Sequence, residues 1–145
     1  MRASVLVAPL ATILLSMTTG AAQQKTELSA PVDTILAGRA VSLSNHQGMC
    51  KLARADTSAI VLDMRWPCQF SVNRRQDVRV ETYLKTPILM VERSEHLPPP
   101  SRDCRTDVQA VRWYKGKLEA AEAQHIAMCG PSHWDQKMFM GVFDW

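Results

Sequence analysis

The sequence predicts a mainly β, possibly α+β, small single domain of successive antiparallel hairpins stapled by two disulfides. Three observations carry that expectation. Short apolar alternations recur along the chain, and turn sequences such as Ala37-Gly38-Arg39 and Lys115-Gly116 punctuate them. Four cysteines, at 50, 68, 104 and 129, all follow an N-terminus of export type.

That N-terminus opens with Met1-Arg2. An apolar run from Val5 to Met17 follows, interrupted only by Pro9, Thr12 and Ser16, then the small residues Thr18 to Ala22. A charged start, a short apolar core and a small-residue end are the layout of a secretory signal peptide. The core is too short for a comfortable transmembrane span. Residues 1–22 are therefore expected to be removed after Ala22, or after Ala21 as second choice, which places the mature chain in the periplasm or outside the cell. Residues 23–36 read as a mobile lead-in carrying Pro31, with an edge strand around Thr34 to Leu36, and 37–145 as the disulfide-stapled domain. Loss of Arg2 leaves 16 basic against 14 acidic residues. So mild a charge gives no strong nucleic-acid signal.

In chain order, Val41 and Leu43 alternate with Ser42 and Ser44 in a short strand, and Asn45-His46-Gln47-Gly48 turns the chain. Met49 to Ala53 and Ala59 to Met64 form a hairpin, with the consecutive Ile60, Val61 and Leu62 suited to a strand covered on both faces. Trp66-Pro67-Cys68 ends it, because proline donates no ladder hydrogen bond. Phe70 and Val72 start another strand, broken at Asn73 to Asp77. Val78, Val80, Thr82 and Leu84 then alternate with Arg79, Glu81, Tyr83 and Lys85, the period of a strand with one dry face. Thr86-Pro87 is expected to turn into Ile88 to Val91, and Glu92 to Asp103, with its triple proline, to be loop.

The stretch from Cys104 to Cys129 reads as a hairpin folded at Lys115-Gly116. Its second half, Lys117 to Gln124, has high helix propensity, and Gly130-Pro131 would stop a helix. The strand is preferred, because it places Leu118, Ala120, Ile126 and Met128 on one side and sets the two cysteines symmetrically about the glycine. Trp134 to Phe143 reads as a terminal strand with Met138, Met140 and Val142 on one face.

Of the three possible cysteine pairings, Cys50–Cys68 and Cys104–Cys129 are favoured, since each pair straddles a turn. In an oxidising compartment both bonds form. No C-x-x-C occurs, so a thioredoxin-type pair or zinc ribbon has no support, and there is no Asn-x-Ser/Thr sequon.

The strings of common hydrolases, zinc proteases, P-loops and dinucleotide folds are missing. Three stretches carry possible chemistry. His133, Met138 and Met140, beside Trp134 and downstream of His125 and Met128, would suit Cu(I), which prefers thioether and imidazole donors. The set resembles the His, Trp and Met-x-Met ligands of small periplasmic copper chaperones, with different spacing; core filler is the plainer reading of alternating methionines. Arg112, Trp113, Tyr114 and Lys115 interleave cations with aromatics at a turn, as partner-binding surfaces do. Acid–base pairs can be drawn from His125 with Glu122 or Glu119 and Arg112, or from His96 beside Glu95. Arg74-Arg75 with Arg79, and Arg102 with Arg105, are small basic clusters on expected loops.

The leading functional expectation is an exported, non-enzymatic binding module of the inhibitor or immunity kind, engaging a protein partner through rigid hairpins or loops and needing no cofactor. Disulfides and prolines suit that role by reducing the entropy lost on docking. The alternatives are a periplasmic copper-binding protein using His133, Met138 and Met140, and a small secreted hydrolase with a His/Glu pair.

Overall fold

A computed structural model describes residues 31–145. The expected signal peptide and residues 23–30 of the lead-in lie outside the described residues. Ten strands and one short helix follow in order: β1 Asp33–Leu36, β2 Arg39–His46, β3 Met49–Arg54, β4 Ala59–Arg65, β5 Gln69–Phe70, β6 Val80–Tyr83, β7 Thr86–His96, β8 Cys104–Tyr114, β9 Lys117–Ala120, β10 Gln124–Ile126 and α1 Gln136–Met140. Strands β1-β2-β3-β4 form one antiparallel sheet. The second runs β10-β8-β7-β5, with β6 also beside β7 and β9 also beside β8.

Two-residue turns set this meander. Ala37-Gly38, Gln47-Gly48, Leu84-Lys85 and Lys115-Gly116 each have both φ angles positive and each joins directly paired strands. Such turns match the right-handed twist of the strands they connect. Glycine occupies the second position in three of the four, where its missing Cβ removes the steric cost.

The sheets pack face to face over Leu36, Val41, Leu43, Leu52, Leu62, Met64, Phe70, Leu89, Val91 and Val111. A second cluster covers the other face of the long β7–β8 pair: Ile88, Met90, Val108 and Ala110 lie under Trp134, Phe139 and Ala121. Strand β7 is thus buried on both sides, which explains its unbroken Ile88-Leu89-Met90-Val91 run. Both expected disulfides are formed. Cys50–Cys68 joins β3 to the entry of β5 and so ties one sheet to the other. Cys104–Cys129 ties the start of β8 to the segment after β10.

Several local expectations are overturned. Val61 is exposed, because β4 is an edge strand covered on one face, and the residues turned inward are Ile60, Leu62 and Met64. The strand expected over Val78 to Lys85 shrinks to β6, and the turn falls at Leu84-Lys85 rather than Thr86-Pro87. The supposed dry face is wet there, with Val80, Thr82 and Leu84 all exposed. The loop expected from Glu92 is strand as far as His96, since its backbone pairs with β8 residue by residue down to Cys104. Lys117–Ala120 and Gln124–Ile126 are strands, as preferred, but they are separate, and the register slips by one residue between β9 and β10. A one-residue slip reverses the face: Leu118 and Ala120 meet the inter-sheet core while Ile126 meets the second cluster. Trp134 to Phe143 is not a strand. Asp135 caps α1, its carboxylate accepting from the Lys137 amide at 2.9 Å.

Candidate functional site

Strand alternation sorts the expected partner-binding residues onto two faces. Trp113 turns toward the first sheet, where the Arg54 guanidinium covers its ring at 3.7 Å. Arg112 and Tyr114 turn the other way. Arg112 is buried and grips Glu119 through Nε at 3.0 Å and Nη2 at 2.9 Å. Its Nη1 donates to the Asp144 carbonyl at 3.2 Å. The guanidinium also sits 4.2 Å, 4.4 Å and 4.8 Å from the ring centroids of Tyr114, Phe143 and Trp145. Lys115 at the turn lies over Tyr114 at 4.8 Å. A hydrogen bond from Lys117, reinforced by Arg112, holds the Glu119 carboxyl below its ordinary range.

Arg112 is therefore buried beneath an aromatic group that it anchors. Trp145 packs edge-on against Tyr83 at 4.8 Å, Phe143 at 6.0 Å and Tyr114 at 6.5 Å, and its indole N–H donates to the Met140 carbonyl at 2.8 Å. Tyr83, Lys137, Met140, Gly141, Phe143 and Trp145 line an open hollow of about 390 Å³. Beside it, Leu84 is 68% exposed in a left-handed backbone conformation. No local pattern signals that Tyr83 and Trp145 meet, because they are 62 positions apart along the chain.

The expected copper ligands are placed differently from the strand that motivated them. His133 is exposed before α1. Met138 packs on the second cluster, whereas Met140 lines the aromatic hollow; residues two apart on a helix point away from each other. Trp134 is buried, donating to Glu92 at 2.6 Å. Among the described residues, His96, Cys104 and Cys129 also lie close together, but both sulfurs are bonded to each other and offer no thiolate.

His96 approaches the Cys104 sulfur at 3.3 Å, and strand alternation turns it away from Glu95. His125 does not meet Glu119, Glu122 or Arg112. Pairing of β10 with β8 sets it directly opposite Asp107, with Nδ1 2.7 Å from Oδ1. Arg105 Nε donates to the same oxygen at 3.2 Å. This pair stands in a second hollow of about 520 Å³, lined by Met49, Asp63, Met64 and Arg65 from the first sheet and by Arg93, Glu95, Arg105, Asp107 and His125 from the second. One face of β7 reads Leu89, Val91, Arg93, Glu95, and the matching face of β8 reads Val111, Gln109, Asp107, Arg105. The same surface that is core at one end becomes a charged mouth at the other. Arg93 reaches Glu95 at 2.6 Å and holds its carboxyl ionised to lower pH than usual.

Of the basic clusters, Arg74, Arg75 and Arg102 are exposed. Arg79 is drawn into the structure, paired with Glu81 at 2.6 Å, donating to the Trp134 carbonyl and lying over Phe139. Comparison with family models, with curated proteins and with solved structures finds no match to this chain, so its function is argued from these side chains alone.

Proposed function

We propose that the chain is an exported, non-enzymatic binding module, inhibitor- or immunity-like, that grips a protein partner through the aromatic hollow beside the β8–β9 turn. The observation that carries the reading is Leu84, a large apolar side chain 68% exposed at a turn whose backbone disfavours any residue with a Cβ. A local rule broken without structural return marks a functional position. Next to it stand the part-exposed rings of Tyr83 and Trp145, the residue types enriched where interfaces concentrate their energy. The Arg112 clamp fixes Trp145, on which Tyr83 packs, before any partner arrives, which reduces the ordering cost of docking. Lys115 and Lys137 supply a basic rim that would favour a partner with acidic groups around an apolar centre.

Export is supported by two formed disulfides, and no described helix is long and apolar enough to cross a membrane.

The test uses the oxidised protein as bait in extracts from its own compartment, beside a Tyr83→Ala/Trp145→Ala variant of verified fold. The expected result is one partner recovered in stoichiometric amount by the first bait and about 100-fold less tightly held by the second, the size of two interface hot spots. Equal recovery by both baits, or no partner with either, overturns the proposal.

A further inference from the structure

The charged mouth is independent of the aromatic hollow, and its hydrogen-bonding capacity is unevenly used. Its acceptors are largely engaged. Asp107 receives His125 and Arg105, and Glu95 receives Arg93. Its donors are not. A guanidinium carries five N–H groups, and the buried Nε of Arg93 has no partner among the described residues. Arg65, on the rim, enters no ion pair among the described residues. At His125, Asp107 at 2.7 Å stands closer to Nδ1 than does the Arg105 Nη2 at 3.4 Å. We assign the Nδ1 proton to the Asp107 contact, which leaves Nε2 free. The open acceptor that remains is Asp63, whose backbone N–H is tied to Gln109 at 2.8 Å.

We propose that this mouth binds a tetrahedral oxyanion, phosphate or sulfate, free or as the head of an organic monoester, through Arg65, Arg93, Arg105 and His125. Guanidinium groups match such oxygens in pairs, and carboxylates already neutralised within the wall repel an incoming anion less than free ones. Ionisable groups facing the anion are Asp63 and Arg65 from β4, Arg93 and Glu95 from β7, Arg105 and Asp107 from β8, and His125 from β10.

Calorimetric titration of the oxidised protein with inorganic phosphate, inorganic sulfate and phenyl phosphate tests this, with histidine ring resonances followed by NMR. The expected result is saturation with a Kd of about 1 mM or tighter, and a ring shift at His125 that His46 and His133 do not share. Arg65→Ala, which disturbs no ion pair among the described residues, should weaken binding about tenfold, and His125→Ala should weaken it as well. Phenyl phosphate binding more tightly than phosphate identifies an organic monoester as the ligand class, and equal affinity identifies the free anion. Failure of all three probes to saturate, or affinities unchanged in both folded variants, overturns the proposal.

Discussion

At the scale of single residues, the fold commits polar side chains to interior tasks that composition does not announce. Glu92 is 1% exposed and accepts from Trp134 Nε1 at 2.6 Å, Ser71 Oγ at 3.1 Å and Gln69 Nε2 at 3.3 Å. Buried carboxylates persist only when so satisfied. Trp134→Phe keeps an aromatic ring but removes the donor, and should cost about 1–3 kcal/mol, read as a lower urea midpoint with an unchanged slope. An unchanged midpoint would mean that the indole contributes packing alone. Glu119 offers a pH-dependent counterpart. Lys117 first, and Arg112 second, hold its folded pKa below the ordinary 4.5. A group depressed in the folded state stabilises above its unfolded pKa, and that contribution disappears as pH falls through the folded value. Glu119→Gln should thus be less stable than the parent at pH 6, by at most about 1 kcal/mol given solvent screening. The two stability curves should converge in acid below pH 4.5. Parallel curves throughout would remove the carboxylate from the account.

At the scale of elements, the two-residue turns make a sharper prediction. Three of the four place glycine second; Leu84-Lys85 does not, although its φ angles are 46° and 62°. Lys85→Gly should therefore stabilise the protein by about 1 kcal/mol, visible as a higher Tm. The Lys115-Gly116 turn, both disulfides and the strand over Lys117 to Ala120 were legible because glycine chemistry and cysteine spacing act locally. Two elements were not legible, for different reasons. Glu92 to His96 carries polar side chains that look like loop until their partners Val108, Asp107, Thr106, Arg105 and Cys104 are known. In the tail, Met138, Met140 and Val142 alternate as a strand would, yet the Asp135 cap starts a helical turn; one cap outweighs a periodicity sampled over so few residues. The candidate sites suffered most. His125 finds its carboxylate through the β10–β8 register, and Tyr83 meets Trp145 through packing of the tail, neither of which any sequence window contains.

At the scale of the whole molecule, the second cluster decides how independent the tail is. Ile88, Met90, Val108 and Ala110 form an apolar face that a two-sheet protein would ordinarily turn to solvent, and here Trp134, Met138, Phe139, Val142 and Phe143 close it. Beside the polar contacts of Trp134 and Asp144, that cover is held by the fully buried Phe139 and by the Cys104–Cys129 bond, which tethers the chain just before it crosses the sheet. Phe139→Ala should cost about 3–5 kcal/mol by lost burial and the cavity left behind. Replacing Cys104 and Cys129 by serine should cost about 3 kcal/mol on the chain-entropy account. If both act by keeping one cover closed, the losses cannot add, because a tail already released by one change has little left to lose to the other. The combined variant should fall short of the sum by about 1 kcal/mol or more, and each single variant should bind a hydrophobic dye at the exposed face before the two-sheet core unfolds. Strict additivity, with dye binding only at global unfolding, would instead make the tail an integral part of one cooperative core, and the aromatic hollow it carries would then be as rigid as the sheets beneath it.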